Sequence, residues 1–188
     1  KLIINKNIDA VKGHISTVTP MVGIEPSAIL TFRDEYIDLA TDENFETAKA
    51  MSKNVFMTDE FLASEIAKGY IDKAWFSTKK QHIVFHGHCQ QKSLSNVSHS
   101  VKMLSLPENF TVETVPSGCC GMAGSFGFEK EHFDISQKIG ELVLFPTVRK
   151  QSADTIIAAV GTSCRHQIHD GTSKQALHPV EIMYDALV

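Results

Sequence analysis

All four cysteines lie between residues 89 and 164, at three places where an apolar strand gives way to a helix. Ile83-Val84-Phe85 runs into His86-Gly87-His88-Cys89. The segment from Phe110 to Val115 runs into Ser117-Gly118-Cys119-Cys120-Gly121-Met122-Ala123-Gly124-Ser125-Phe126-Gly127. Thr155 to Val160 leads to Ser163-Cys164 and a further helix. Strands alternating with helices define α/β layers around a parallel sheet with flanking helices. In such sheets, sites gather at the carboxyl ends of the strands, in the loops that enter helices. Three strand ends are therefore expected to deliver thiols to one edge of one sheet.

The remaining composition narrows the function classes. A chain of 188 residues buries a core without disulfide staples. Its net charge of −4 leaves no basic footprint, which argues against nucleic-acid binding. No apolar run is long enough for a transmembrane segment, and the first residues do not read as a signal peptide. Leu2, Ile3, Ile4, Ile8 and Val11 form an apolar helical stripe with no cap before it, as expected of a fragment of a longer polypeptide. Without an export signal the expected location is cytoplasmic. Thiols there more often bind metals or act in catalysis than form disulfides.

Before the first thiol, residues 20–24 predict a short strand and Pro26 opens a helix continuing to Leu39. Helices are expected over 42–53 and 59–68, with Thr41 and Thr58 as caps. One helix is predicted from Cys89 to about Leu104 and another over 131–150, kinked at Pro146. The chain closes with a helix from Pro179, where His178 and Glu181 read as capping. Val22-Gly23-Ile24-Glu25-Pro26-Ser27-Ala28 also resembles Ala158-Ala159-Val160-Gly161-Thr162-Ser163-Cys164. The likeness fits either a duplicated unit or a shared strand-to-helix habit.

The vicinal pair carries the strongest chemical signal. Consecutive Cα atoms lie about 3.8 Å apart, whereas disulfides prefer about 4.4–6.8 Å. A Cys119–Cys120 bond is thus disfavoured as a resting state. Two thiolates on one metal centre fit more easily. Gly118, Gly121, Gly124 and Gly127 let the backbone curl so that N–H groups point inward at thiolates or cluster sulfurs. The loop matches neither a phosphate loop nor a dinucleotide fingerprint. His86, His88 and His166 flank the same junctions as further ligands or supporting groups, and a mixed Cys/His set would suit zinc. Lys92 and Arg165 could place positive charge beside the thiolates, or be ordinary surface charges at helix starts.

The segments His86-Gly87-His88-Cys89-Gln90-Gln91-Lys92, Ser117 to Gly127 and Ser163-Cys164-Arg165-His166-Gln167-Ile168 resemble the CCG, or cysteine-rich, domain family. That family includes the B subunit of heterodisulfide reductase, the iron–sulfur subunits of glycolate oxidase and anaerobic glycerol-3-phosphate dehydrogenase, and lactate-utilisation proteins. The likeness is greatest to the C-terminal part of fusion proteins that join an FAD-linked oxidase of the glycolate or D-lactate dehydrogenase type to ferredoxin-like and CCG segments. Gly23 to Ser27 and Thr31 to Glu35 resemble the end of a first CCG repeat. The resemblance implies that residues 1–75 hold the tail of that repeat with a helical connection, and residues 76–188 a complete second repeat.

The ligands implied by the resemblance are Cys89, Cys119, Cys120 and Cys164. The family pattern often ends in Cys-x-x-Cys; here Gln167 stands three places after Cys164. Gln90 replaces a histidine common after the first cysteine, and Ala28 replaces the first repeat's terminal cysteine. A four-thiolate iron–sulfur cluster, of a kind aerobic preparation strips, or a zinc site fits what remains. The implied role is electron transfer. FAD on an upstream domain would oxidise a small 2-hydroxy acid of the D-lactate or glycolate class. Electrons would pass to a quinone or another carrier, with the parent protein located peripherally at the inner face of the membrane. The alternative is a structural zinc-binding or subunit-docking module.

Overall fold

A computed structural model describes residues 1–188. The first half holds α1 (Leu2–Val11), β1 (Met21–Gly23), α2 (Pro26–Ile29), α3 (Glu35–Leu39), α4 (Asp42–Ser52), β2 (Val55–Met57) and α5 (Thr58–Ala67). The second holds β3 (Gln81–His86), α6 (Cys89–Leu94), α7 (Val97–Leu104), β4 (Phe110–Thr114), α8 (Phe133–Leu142), α9 (Leu144–Arg149), β5 (Ile156–Ala159), α10 (Thr162–Thr172), β6 (Ala176–Leu177) and α11 (Pro179–Asp185). Strands β1 and β2 pair in parallel, and a separate parallel sheet has the order β4-β3-β5-β6. The α/β class with parallel sheets and flanking helices is therefore the observed one.

Register fixes which residues share a face. Ile83 and Phe85 of β3 lie opposite Ile156 and Ala158 of β5, while Val84 and His86 lie opposite Ile157 and Ala159. Side chains alternate across a strand. Ile83, Phe85 and Ala158 accordingly pack with Met103, Leu104, Ile182 and Met183. Val84, Ile157 and Ala159 pack on the other side with Leu144, Phe145, Val148, Cys164 and Ile168. The first face also receives Ile29, Leu30, Val55 and Met57, so the two halves of the chain share one core.

Several helices are more broken than the sequence pattern predicts. The segment expected to run from Pro26 to Leu39 is α2, a 3₁₀ turn over Leu30–Arg33 and then α3, with a bend at Asp34 (φ −129°, ψ −87°). Beside that bend the Arg33 guanidinium binds both Glu60 carboxylate oxygens at 2.9 and 2.6 Å and donates to the Val55 carbonyl. The helix expected over 89–104 divides at Ser95, and the Asn96 side chain accepts from Ser98 N–H to start α7. The one expected over 131–150 divides at Val143 (φ −144°), three residues before Pro146, because proline has no N–H to bond back. Thr41 occupies a cap position without a side-chain cap bond, and Thr58 lies inside α5, whose box is closed by the Glu60 carboxylate on Met57 N–H. His178 and Glu181 do form the box at the start of α11.

Phe145 locks the cysteine-bearing side of the sheet. A Cβ on Gly140 of α8 or on Gly171 of α10 would overlap its ring, so the ring is seated between two bare stretches of helix. Gly171→Ala gains helix propensity, yet overpacking a filled core typically costs about 1–3 kcal/mol. We expect a net loss of stability, read as a lower urea midpoint at unchanged slope.

A buried polar group under α6 behaves differently. Burial raises the Asp59 carboxyl pKa against the opposing hydrogen bond from Ser100, and the Glu60 charge raises it further. Gln91 Nε2 donates to the same oxygen at 2.7 Å. A carboxyl whose pKa is raised on folding contributes stability in acid, and that contribution is lost as pH rises through the folded-state value. Asp59→Asn should therefore be more stable than the parent at pH 7. The gain should shrink toward about pH 4, near the unfolded carboxyl value, and stability curves at the two pH values check it.

Candidate metal centre

The sheet edge gathers the four thiols in two close pairs. Cys89 Sγ lies 3.6 Å from Cys119 Sγ, and Cys164 Sγ lies 3.4 Å from Cys120 Sγ. No disulfide is present. Cys89 opens α6 directly after β3, Cys119 and Cys120 follow β4, and Cys164 sits in the first turn of α10 after β5. Parallel pairing of β3 with β4 and β5 brings these ends together. Cys120 and Cys164 are buried in the apolar layer, while Cys89 and Cys119 are half-exposed.

Crowding polarises the thiols. Cys119 is held far below the ordinary thiol pKa by S–H donors from Cys120 and Cys89, and the N–H groups of Gly121 and Ala123 assist. Cys164 is lowered by the Cys120 S–H, against its burial, with His86 adding to the effect. Cys89 is raised by its hydrogen bond to Cys119 and by burial, and Cys120 by its bonds to Cys119 and Cys164. One sulfur of each close pair thus favours the thiolate while its partner favours the thiol. A bound cation would release those protons, since metal ligation requires thiolate.

The loop builds this environment from its backbone. Gly121 adopts φ +106°, and its N–H reaches Cys119 Sγ at 3.3 Å. Gly127 is closed over by Met122 and the Ser136 hydroxyl, leaving no room for a side chain. Gly118 and Gly124 have open space around them, so their role is limited to backbone freedom. Beneath the loop, Gln167 is 2% exposed. Its Nε2 donates to the Cys120 carbonyl at 3.1 Å and to the Ser136 hydroxyl at 2.9 Å. The position where a further thiol is expected is therefore occupied by a latch on the loop.

The flanking residues divide by role. The His86 imidazole is buried with Nδ1 2.7 Å from Ser117 Oγ, and a ring nitrogen of His86 lies within 4.8 Å of both Cys120 and Cys164 sulfurs. His86 Nε2 has no hydrogen-bond partner, a situation that typically costs about 1–3 kcal/mol for a buried polar group. His88 Nδ1 accepts from Gln90 N–H and caps α6, while its ring packs on Gly161. His166 is exposed, near the Phe128 edge. Lys92 Nζ donates to the Ser117 and Gly118 carbonyls at 2.6 and 2.9 Å, and Arg165 to the Ala159 and Val160 carbonyls at 3.0 and 2.8 Å. Both cations brace strand ends through backbone oxygens.

Three contributors escape the sequence reading. Ser117 opens the glycine-rich segment but is given no role by it, and Ser136 carries no pattern that marks it. Glu25, from the first half, reaches the start of α10, where Oε2 accepts from Thr162 N–H at 2.9 Å. Burial pushes its pKa up, but the Thr162 and Ser27 donors hold it lower on balance. Only its place in the repeat-like segment hinted at the contact. A cleft of about 720 Å³ opens above the thiols, bordered by Glu25, His88, Cys89, Cys120 and His166.

Fold and site together define an α/β protein with a buried His/Cys/Cys group capable of holding a metal, set within a four-thiol edge. The chain is 23% identical over 182 residues to the C subunit of anaerobic glycerol-3-phosphate dehydrogenase of Escherichia coli (strain K12), covering 96% of this chain and 44% of the relative. It is 28% identical over 173 residues to D-2-hydroxyglutarate dehydrogenase of the same organism, covering 89% of this chain and 16% of the relative. The protein of that name from Pantoea ananatis is 25% identical over 173 residues. The chain thus spans less than half the length of these relatives. No protein-family profile matches it, and no solved structure matches it. The relatives are dehydrogenases, which supports a redox role. No helix is long and apolar enough to cross a membrane.

Removing the loop latch should loosen the site without touching a thiol. Gln167→Ala strips the buried Cys120 carbonyl and Ser136 hydroxyl of a donor, at a cost of about 1–3 kcal/mol. We expect that loss in thermal or urea unfolding, together with faster alkylation of Cys120 in the folded protein.

Proposed function

We propose that this chain is the electron-carrying domain of a flavin-linked dehydrogenase, with an iron–sulfur cluster held by Cys89, Cys119, Cys120 and Cys164. The observation that carries the reading is the convergence of four sulfurs from three strand ends, paired at 3.6 and 3.4 Å. The residues fit such a group. The loop N–H groups favour negative charge on sulfur, the glycine at φ +106° permits the cradle, and an unpartnered imidazole nitrogen is buried nearby. A bound cluster supplies one-electron transfer. The chain's part is to hold the thiolates, with Cys120 and Cys164 buried and Cys89 half-exposed at the cleft.

The division at about residue 76 into the tail of one cysteine-rich repeat and a second, complete repeat belongs to the same proposal, as does FAD on a further part of the parent protein. So do a ferredoxin-like segment and a peripheral position at the cytoplasmic face of a membrane. The substrate class is a small 2-hydroxy acid, with a quinone or another carrier as acceptor. One named relative acts on D-2-hydroxyglutarate, itself a 2-hydroxy acid. Glycerol 3-phosphate, in the other name, is not an acid of that type. What the two share is a hydroxyl-bearing carbon that a dehydrogenase oxidises.

A second reading, a structural zinc site, is favoured by one feature: His86, Cys120 and Cys164 form a compact, buried set of the kind zinc takes. Anaerobic purification of the chain with iron, sulfide and zinc analysis separates the two. Iron and sulfide in stoichiometric amount, with an electron paramagnetic resonance signal on reduction, are expected. Zinc alone would replace the first reading by the second. Cys120→Ser should lower bound iron at least about tenfold, since even outer-shell changes cost 10–100-fold in metal affinity. Unchanged iron content would remove Cys120 from the ligand set.

A further inference from the structure

The four thiols leave one buried polar side chain at this edge unaccounted for. His86 is 1% exposed, and its Nε2 has no partner among the protein atoms. Its orientation is set by two independent features. Strand alternation places it on the same face of β3 as Val84, the face that packs against Cys120 and Cys164. Ser117 Oγ then fixes the ring from the other side through Nδ1, at 2.7 Å.

We propose that His86 is itself a ligand of the metal centre, binding through Nε2 beside Cys120 and Cys164. The inference rests on the metal-centre reading above and applies to iron or zinc. When Nδ1–H donates to Ser117 Oγ, Nε2 carries the lone pair that ligation needs. An outer hydrogen bond of this kind is the usual means of fixing the tautomer of a ligating histidine. Donors about 2.0–2.3 Å from one metal lie within about 4.6 Å of one another, and the three donor atoms already lie within 4.8 Å. The other imidazoles are less suited. His88 Nδ1 already accepts from Gln90 N–H, and His166 is exposed. Gln167, the position after Cys164 where a further sulfur is expected, is committed to the loop carbonyl and Ser136. The nitrogen of His86 is the donor that remains.

The rival is an outer-sphere role, with Nε2–H donating to the Cys164 sulfur and Ser117 donating to Nδ1. X-ray absorption at the edge of the bound metal, on chain loaded anaerobically, distinguishes them, because imidazole carbons scatter only when the ring is bound. For a paramagnetic centre, pulsed resonance on protein labelled with ¹⁵N-histidine gives the same answer. The unmutated chain should show one imidazole per centre. His86→Cys should lose it and keep comparable metal, since a thiolate takes its place. An all-sulfur shell in the loaded chain, or an imidazole surviving in His86→Cys, overturns the assignment while leaving the four-thiol centre intact. If His86→Cys does not fold, His88→Asn decides: the imidazole signal should persist there, and its loss transfers the role to His88. A chain that takes up neither iron nor zinc refutes this inference and the reading beneath it together.

Discussion

The parallel register of β3 with its neighbours β4 and β5 is the constraint on which the site depends. Because the three strands point the same way, their carboxyl ends lie at one edge, and the turns that follow release Cys89, Cys119-Cys120 and Cys164 toward each other. A one-residue slip would turn every side chain to the opposite face. His86 would then leave the thiols, and Phe85 would leave its core. Both faces of the sheet resist that slip, one through Ile83 and Phe85 and the other through Val84 and the Phe145 wedge.

Polar groups do the finer positioning. The loop is latched from below by Gln167 and braced at its entrance by Lys92, and the end of β5 is held by Arg165. The first half contributes at two points. Arg33 ties β2 to Glu60 and to the Leu94 carbonyl at the end of α6, and Glu25 caps α10 next to Cys164. Gln91 links the start of α6 to Asp59 of α5, accepting from His88 N–H while donating to the carboxylate. Buried groups satisfied in this way specify one arrangement, while His86 Nε2 beside the thiols and Asp59 Oδ1 under α6 have no partner.

Relatives and site geometry converge from different directions. Identity of 23–28% spread over about nine-tenths of the chain or more relates it to portions of two differently named dehydrogenases. Both names are those of dehydrogenases, which supports a redox role for the shared portion. The site agrees. Its residues serve to hold and polarise sulfur.

The sequence by itself determined the parallel α/β class, the strand ends that carry the thiols and the glycine curl at Cys119-Cys120. These are local matters, since a β-branched run, a following turn and a helix start are each written in consecutive residues. It did not determine where the helices break. The break at Asp34 goes with the contacts of Arg33 to distant Val55 and Glu60, whereas those at Ser95 and Val143 go with the local Asn96 cap and Pro146, which the apolar pattern does not show. Strands β2 and β6 were too short to stand out. Only the tertiary structure paired Cys89 with Cys119 and Cys120 with Cys164, turned Lys92 and Arg165 onto carbonyls, and set His86 against the buried sulfurs. Which side chains meet across a sheet edge depends on register and loop path, and no local stretch of sequence encodes either one.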